Sequence, residues 1–125
     1  MILGVGTDIV ETARILSALE RYGDAFCRKV LGPDEMRRAL AYGRKRQAEF
    51  VAGRFAAKEA LAKAVGCGIG RLAMSHVDVM VTETGLAVKF DSPSALADLP
   101  PSDAFHLSIS HHTTMAFATA IWERP

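Results

Sequence analysis

The alternation of hydrophobic and polar positions at the start of the chain predicts a buried strand. The stretch MILGVGTDIV places apolar side chains at every second position, which is the period of a strand. One face of this strand carries Leu3, Val5 and Ile9. The other face carries Gly4, Gly6 and Asp8. Glycines on a strand leave room for something to approach the backbone closely, so we expect a neighbour to pack against this second face.

A helical period replaces the strand period in the next part of the chain. It predicts helices over 12–22 and 25–30 and a short helix in GPDEMRRALAYG, which has a proline and two acids near its start and a glycine at its end. A long helix follows over about 47–65 and is closed by Gly66. The glycine-rich stretch GCGIG, over 66–70, predicts a loop.

Short alternating segments return near the C-terminus and predict an antiparallel group of strands. HVDVMVTETGLAVKF predicts a hairpin that turns near Thr84-Gly85, and AFHLSIS and TMAFATAIW predict two final strands joined across HHTT. This order of elements is typical of an α+β fold. We therefore predict a single domain over residues 1–125, in which an antiparallel sheet packs on the long helix.

The predicted long helix is apolar on two sides. One stripe, with Glu59 in its middle and Lys58 and Lys63 on its flanks, consists of Ala48, Val51, Ala52, Phe55 and Ala62. The opposite side carries Phe50, Ala57, Leu61 and Ala64. A helix that is apolar all round is buried, and a small monomer has little second layer to cover it. The pattern therefore favours a homo-oligomer, unless the preceding helices cover the second side.

Two carboxylates, Asp8 and Glu59, have both a structural and a chemical interpretation. Glu59 can form an ion pair with Lys63, because the two are spaced i, i+4 on a helix in the favourable order. Asp8 can cap a helix, with Glu11 completing the capping pattern. If the two carboxylates instead converge, they form an all-oxygen site for Mg²⁺, which usually takes one or two protein carboxylates together with water and phosphate oxygens.

Several other residues fit a phosphate-bearing ligand of such a site. Lys58 and Lys63 would flank a diphosphate, and the backbone amides of the 66–70 loop could cradle another phosphate. That loop can equally be a plain helix stop. Ser110 and His111 lie at a predicted strand end, where the alternative is a solvated turn. No serine, histidine and acid form a sequence signature for acyl transfer, so the catalytic interpretation depends on metal and phosphate.

Charge and cysteine content limit the classes of function. The net charge is only +1, which argues against a general nucleic-acid binder. The basic residues are concentrated between positions 14 and 46, where they are Arg14, Arg21, Arg28, Lys29, Arg37, Arg38, Arg44, Lys45 and Arg46. They form either a face for an acidic partner or a phosphate-bearing ligand, or a set of solvated helices.

The expected location is the cytoplasm. Cys27 and Cys67 have neither metal-site nor redox spacing, which is typical of free thiols in a reducing compartment. The N-terminal stretch lacks a basic leader, and Asp8 interrupts it too early for a signal peptide. No apolar run approaches the roughly 20 residues needed to span a bilayer.

Three segments together resemble the holo-acyl-carrier-protein synthases, the small stand-alone 4′-phosphopantetheinyl transferases. GVGTDIVE (4–11) resembles the Gly-x-Asp motif of that family, and GRFAAKEALAKAVGCGIG (53–70) resembles its Phe-x-x-Lys-Glu-Ala motif. LSISHHTTMAFA (107–118) resembles its Ser-x-Ser-His strand. The order and spacing of the motifs agree over the whole chain.

The resemblance implies a reaction. A serine hydroxyl of apo acyl carrier protein attacks the β-phosphate of coenzyme A, 4′-phosphopantetheine is transferred to give the holo carrier protein for fatty acid biosynthesis, and 3′,5′-ADP leaves. Asp8 and Glu59 match the carboxylates that bind Mg²⁺, and Lys58 and Lys63 match the lysines of the second motif, with Lys63 expected to reach a phosphate. The base that takes the serine proton is either Glu59 or a metal-bound water.

The resemblance also implies partners. Family members of this size are homotrimers with active sites at the subunit interfaces. The segments that contact the adenosine end of coenzyme A across such an interface are matched by Gly66, Gly68, Gly70, Ser110 and His111. The region that docks the acidic helices of the carrier protein is matched by Arg14, Arg21 and Arg28. His112 and Cys67 match no position with a known role.

Two other functions use the same residues. A Mg²⁺-dependent hydrolase of nucleotide diphosphates would use the same carboxylates and lysines, but it has no need of the basic face over 14–46. A non-catalytic module that binds an acidic protein would use Asp8 and Glu59 only as a helix cap and an ion pair.

Overall fold

The sequence folds into one N-terminal strand, a helical middle and a C-terminal group of strands. The computed structural model describes all residues from 1 to 125. Its strands are β1 (Ile2–Glu11), β2 (Val77–Thr82), β3 (Gly85–Phe90), β4 (Ala104–His111) and β5 (Met115–Glu123). Its α-helices are α1 (Thr12–Tyr22), α2 (Asp24–Val30), α3 (Pro33–Leu40), α4 (Arg44–Val65) and α5 (Gly68–Leu72). Two short 3-10 helices, Met74–His76 and Ala95–Asp98, complete the elements.

The strands form two antiparallel sheets rather than one. β1, β5 and β4 make a three-stranded sheet in that order, so the first strand pairs with the last and lies at one edge. β2 and β3 form a separate hairpin that turns between Thr82 and Gly85, where the sequence predicts it. The predicted α+β arrangement of an antiparallel sheet on one long helix is confirmed, with α4 as that helix.

The glycine face of β1 packs directly on α4. A Cβ atom added to Gly4 would overlap the carbonyl oxygen of Ala64, and one added to Gly6 would overlap the carbonyl oxygen of Ala60. The neighbour for which these glycines leave room is therefore α4. The adjacent strand β5 contributes three small buried side chains to the same layer, Ala116, Ala118 and Ala120.

This close packing covers the glycine face of β1, as the sequence predicts, and leaves the apolar face outward. The apolar face faces solvent, where Val5 and Ile9 are each 59% exposed, whereas Gly6 is buried. Only a strand face without side chains can approach the helix backbone so closely, so the glycines occupy the core side. Phe117 on β5 extends the exposed apolar face. This face, consisting of Val5, Ile9 and Phe117, is called the outer sheet face below.

Helix α4 is covered over most of its surface by its own chain, although its first turn and Lys63 are exposed. β1 and β5 cover one side, and α1, α2, α3 and β2 also pack against it. Ala57 and Leu61, on the side opposite Glu59, are completely buried. The preceding helices therefore supply a second layer over α4, which is the alternative that the sequence left open, and the homo-oligomer stays a prediction.

The ends of α4 differ slightly from the prediction. The helix begins at Arg44, three residues earlier than expected, and ends at Gly66, which adopts the left-handed conformation with φ 75°. A left-handed glycine is a common way to end a helix. The prediction of a loop over 66–70 is wrong in its second half, because α5 begins at Gly68. No helix combines the length and the apolar character needed to cross a bilayer.

The contact between β1 and α4 gives a stability prediction. Gly6→Ala places a methyl group against the carbonyl oxygen of Ala60 and should lower the free energy of unfolding by about 3 kcal/mol, as for overpacked cores. Urea denaturation measures this change. The matched control is Gly70→Ala, where an added Cβ meets nothing within 4 Å, and its effect should stay within about 1 kcal/mol. Equal effects of the two variants would contradict the packing.

Candidate active site

Asp8 and Glu59 lie together in one pocket between β1, α1 and α4. The residues that line this pocket are Asp8, Ile9, Val10, Arg14, Ile15, Ala18, Phe26, Phe55 and Glu59. The carboxylates of Asp8 and Glu59 are the only acidic groups among these residues, and apolar side chains form most of the pocket wall. We call it the carboxylate pocket.

The register of β1 on α4 brings the two carboxylates together. Two residues along a strand advance about 6.6 Å, and four residues along a helix advance about 6 Å, so the two backbones stay in step. Gly4 lies at Ala64 and Gly6 at Ala60. The next inward position of β1, Asp8, therefore lies one helical turn further along, level with Ala56. At this level Asp8 lines the same pocket as Phe55 and Glu59. Because Asp8 is inside β1 and α1 begins only at Thr12, the interpretation of Asp8 as a helix cap is wrong.

Lys63 contacts β1 rather than its neighbour on the helix. Its ammonium group donates hydrogen bonds to the Thr7 carbonyl oxygen at 3.0 Å and to Asp8 Oδ1 at 3.2 Å. The expected Glu59–Lys63 ion pair does not form within 4.0 Å, since Asp8 is the only carboxylate that Lys63 reaches at that distance. Burial, and after it the charge of Asp8, raise the pKa of Glu59, whereas Lys63 opposes the shift.

The donor set of the carboxylate pocket fits a hard divalent cation. Two carboxylates close enough to repel each other require positive charge, and Lys63 supplies only one such charge. No third histidine, cysteine, aspartate or glutamate joins them. A site with two carboxylates and no other protein ligand suits Mg²⁺, which keeps several positions for water and for phosphate oxygens of a substrate.

The prediction that Lys58 flanks a diphosphate is wrong. Its side chain is completely buried, and its ammonium group donates to Glu35 Oε1 at 2.5 Å and to the carbonyl oxygens of Val30 and Met74. Lys58 therefore points into the protein interior, away from any ligand. Burial raises the pKa of Glu35, and the Lys58 ammonium opposes this shift.

A second pocket, on the other side of α4, is strongly basic. The residues that line it are Arg38, Tyr42, Arg46, Glu49, Phe50, Gly53, Arg54, Ile109 and His111. His111 is thus brought to a cluster of three arginines, and we call this the arginine pocket. The sequence reasoning missed Arg54. The available signal was its place in the long helix, five residues from Glu59, which is about 140° around the helix axis.

Ser110 does not join His111 in this pocket. Neighbouring residues of a strand point to opposite sides of the sheet, and Ser110 pairs with Phe117, whose partner on β1 is Ile9. Ser110 is therefore exposed on the outer sheet face. His112 accepts a hydrogen bond from the Thr114 backbone N–H at 3.3 Å and so shapes the turn between β4 and β5.

The remaining predicted residues lie at the surface. Gly66, Gly68 and Gly70 are exposed between α4 and α5, and an added Cβ at any of them meets nothing within 4 Å. Arg14, Arg21 and Arg28 are exposed on α1 and α2. The first two are seven residues apart and share one face of α1. Arg14 also borders the carboxylate pocket.

The two pockets belong to opposite edges of one sheet. Asp8 lies on β1 and His111 on β4, and β5 separates these strands. Two strand spacings amount to roughly 10 Å, and α4 lies between the pockets. No residue lines both of them.

The whole chain matches one family of known proteins. The 4′-phosphopantetheinyl transferase superfamily matches residues 4–121, and the chain belongs to it. It is 45% identical over 125 residues to a holo-[acyl-carrier-protein] synthase of Geobacillus kaustophilus, covering 99% of this chain and 91% of that protein. It is 39% identical over 123 residues to the protein of that name in Enterococcus faecalis, with 98% of each chain covered. Within the superfamily, the chain belongs with the holo-acyl-carrier-protein synthases.

Solved structures agree with the sequence relatives. A holo-(acyl-carrier-protein) synthase from Bacillus anthracis in complex with coenzyme A (3′,5′-ADP) has a TM-score of 0.82 and 35% identity, with 100% and 99% of the two chains covered. The enzyme from Neisseria meningitidis has a TM-score of 0.85 and 31% identity, with 99% and 100% covered. The predicted enzyme class, which transfers phosphopantetheine from coenzyme A to acyl carrier protein, is confirmed by these matches.

The raised pKa of Glu59 gives a prediction about pH. A carboxyl group whose pKa is higher in the folded state opposes folding once pH rises above its unfolded value, 4.5. In the absence of divalent ions, Glu59→Gln should therefore raise the free energy of unfolding at pH 7. This gain should disappear below about pH 4, where both states are protonated.

Urea denaturation over this pH range measures the effect. The matched control is Glu20→Gln, a change at an exposed glutamate that forms no salt bridge, and it should change the unfolding free energy little at any pH. A Glu59→Gln protein that is less stable than the wild type at pH 7 would contradict the predicted repulsion.

Proposed function

We propose that the transfer takes place in the carboxylate pocket, with Mg²⁺ held by Asp8 and Glu59. The observation that carries this proposal is the pair of carboxylates that the β1–α4 packing holds together with Lys63 beside them. A Mg²⁺ ion there would neutralise and polarise the diphosphate of coenzyme A. The diphosphate is the group that this site must bind for the reaction to proceed.

The chain's own groups then have defined tasks. Lys63, anchored on Thr7 and Asp8, offsets charge on the leaving phosphate, since phosphoryl transfer depends mainly on positioning and charge neutralisation. Glu59 faces the same pocket, so either this carboxylate or a water on the ion that it would hold is placed to accept the proton of the carrier protein's serine. Ile15, Phe26 and Phe55 form the apolar wall that keeps water away.

The arginine pocket is proposed to bind the adenosine end of coenzyme A. This end carries a 3′-phosphate, and an arginine guanidinium recognises phosphate with two parallel hydrogen bonds. Arg38, Arg46 and Arg54 supply the positive charge, and His111 lies at the same pocket. Ser110 and the exposed turn with Gly66, Gly68 and Gly70 are proposed to contact the same ligand from other surfaces.

We also propose a homotrimer with shared active sites, and the separation of the two pockets supports the sharing. One molecule of coenzyme A needs both pockets, yet they lie at opposite edges of the sheet in one chain. Head-to-tail contact in a closed ring places the β1 edge of one copy beside the β4 edge of the next. The outer sheet face, with Val5, Ile9 and Phe117 exposed, supplies apolar surface for such contact.

The carrier protein is proposed to dock on Arg14, Arg21 and Arg28. These side chains are exposed on α1 and α2, and they attract acidic helices by long-range electrostatics. Arg14 borders the carboxylate pocket, so a partner bound to this face presents its serine directly to Asp8 and Glu59. We place the enzyme in cytoplasmic fatty acid biosynthesis. Both cysteines are free thiols, as is usual in a reducing compartment.

A transfer assay tests the proposed function. Purified protein is mixed with apo acyl carrier protein, coenzyme A and Mg²⁺, and the mass of the carrier protein is measured. The mass should rise by one phosphopantetheine with wild-type protein. It should stay unchanged with Asp8→Ala or Glu59→Ala, for which a loss of at least about a thousandfold in kcat/KM is expected when a charge clamp on a phosphoryl group is removed.

The controls separate the three candidate functions. Lys89→Glu alters an exposed charge on β3, far from the carboxylate pocket in the fold, and should transfer normally. Chelation of divalent ions should stop the wild-type reaction, and added Mg²⁺ should stabilise wild-type protein more than Asp8→Ala. Release of nucleotide without a carrier mass gain would indicate a hydrolase. No reaction at any metal concentration would indicate a binding module.

A further inference from the structure

Glu35 forms the centre of a buried charge network that the proposed chemistry does not use. Its side chain is only 1% exposed. Oε1 accepts hydrogen bonds from the Gly32 backbone N–H at 2.9 Å and from Lys58 at 2.5 Å, and Oε2 accepts one from the Val79 backbone N–H at 2.8 Å. Every group that hydrogen-bonds to these oxygens is a donor, so the carboxylate is held at a fixed position.

Lys58 fixes the carboxylate from the other side. Its ammonium group has three hydrogen atoms to donate, and it makes three hydrogen bonds, to Glu35, Val30 and Met74. With every donor used and the side chain completely buried, Lys58 cannot move to another partner. The Glu35 carboxylate therefore has one orientation.

Arg54 connects this network to the arginine pocket. It lies four residues before Lys58 on the same face of α4, and its Nε is 3.7 Å from Glu35 Oε2. One terminal nitrogen donates to the Val79 carbonyl oxygen at 3.4 Å, and the guanidinium lies 4.3 Å from the centre of the Phe50 ring. Although its side chain is 11% exposed, Arg54 lines the arginine pocket.

The environment of Arg54 is unusual for an arginine. Its Nε is buried and makes no hydrogen bond, and Glu35 is the only carboxylate within 4.0 Å of the side chain. A buried cation without a nearby anion is strongly unfavourable. Glu35 therefore keeps Arg54 at the pocket by charge attraction, and the terminal N–H groups that do not bond to Val79 stay available for another acceptor.

We propose that Glu35 is a positioning residue for phosphate recognition: it holds the Arg54 guanidinium in place for the 3′-phosphate of coenzyme A. Lys58 and the backbone N–H groups of Gly32 and Val79 hold Glu35 in turn. Because the arginine is already ordered, less side-chain entropy is lost when the phosphate binds. This inference rests on the proposed role of the arginine pocket.

The test compares two donors that differ by one phosphate, coenzyme A and 3′-dephospho-coenzyme A. The ratio of their kcat/KM values measures recognition of the 3′-phosphate. Arg54→Ala should lower this ratio by about a hundredfold, as expected for loss of a charged phosphate contact. Glu35→Gln should lower it by about tenfold, through KM for coenzyme A, because a misplaced arginine still attracts phosphate. The kcat/KM value for the dephosphorylated donor should fall much less than the value for coenzyme A.

The matched control is Asp78→Asn. Asp78 is buried beside Glu35 and accepts a hydrogen bond from the Glu35 backbone N–H at 3.0 Å, but it is not within salt-bridge distance of Arg54. This variant should lower stability and leave the donor ratio unchanged. A purely structural role of Glu35 would lower activity with both donors equally, and that result would overturn the proposal.

A second measurement uses the wild-type protein and so does not depend on how the variants fold. NMR relaxation of the Arg54 Nε–H group, assigned by its loss in Arg54→Lys, should give an order parameter above about 0.8 without ligand, as in rigid parts of proteins. A value below about 0.6 would mean that Arg54 is not held in place, and would overturn the proposal.

The outcomes separate this proposal from the one on which it rests. If Arg54→Ala leaves the donor ratio unchanged, the assignment of the arginine pocket to the 3′-phosphate is wrong, and the positioning role is overturned with it. If Arg54→Ala lowers the ratio and Glu35→Gln does not, only the positioning role is overturned. The carrier mass assay with wild-type protein reports on the transferase function independently of both.

Discussion

The close contact between the glycine face of β1 and the backbone of α4 is the constraint on which the rest of the structure depends. Gly4 and Gly6 lie against the carbonyl oxygens of Ala64 and Ala60, and this contact fixes the register between strand and helix. In this register Asp8 lies in the same pocket as Glu59 and accepts a hydrogen bond from Lys63. The same packing turns the larger apolar side chains of β1 outward. One contact thus creates both the carboxylate pocket and an apolar outer surface.

A second constraint acts on the other side of α4. The ion pair between Lys58 and Glu35 joins the helix to segments before and after it, through Val30, Met74 and Val79. Breaking a buried pair of this kind leaves an unpaired charge, which typically costs about 3–5 kcal/mol. The helix therefore carries repelling carboxylates on one side and a satisfied ion pair on another. The first arrangement borders an open pocket, whereas the second is completely buried.

Local patterns in the sequence predicted much of this, and long-range contacts explain what they missed. Gly66 as the end of α4, the hairpin turn before Gly85 and the fold class all follow from nearby residues. A helical wheel places Lys58 beside Glu59, but it cannot show that Glu35, 23 residues away, lies within 2.5 Å of the ammonium group. The glycine face of β1 was likewise recognisable as the face with a close neighbour, whereas the identity of that neighbour, α4, depends on long-range packing.

The central claim is that the carboxylate pocket of one copy works with the arginine pocket of the next. Mixing two inactive variants tests it: Asp8→Ala, and the double variant Arg46→Glu/His111→Glu, whose changes are both at exposed residues. In a ring of three copies with head-to-tail contacts, any mixed trimer contains one fully wild-type site, so isolated mixed trimers should regain about one third of the wild-type transfer rate. Mixed assemblies that stay as inactive as the separate variants would show that each site is built from a single chain.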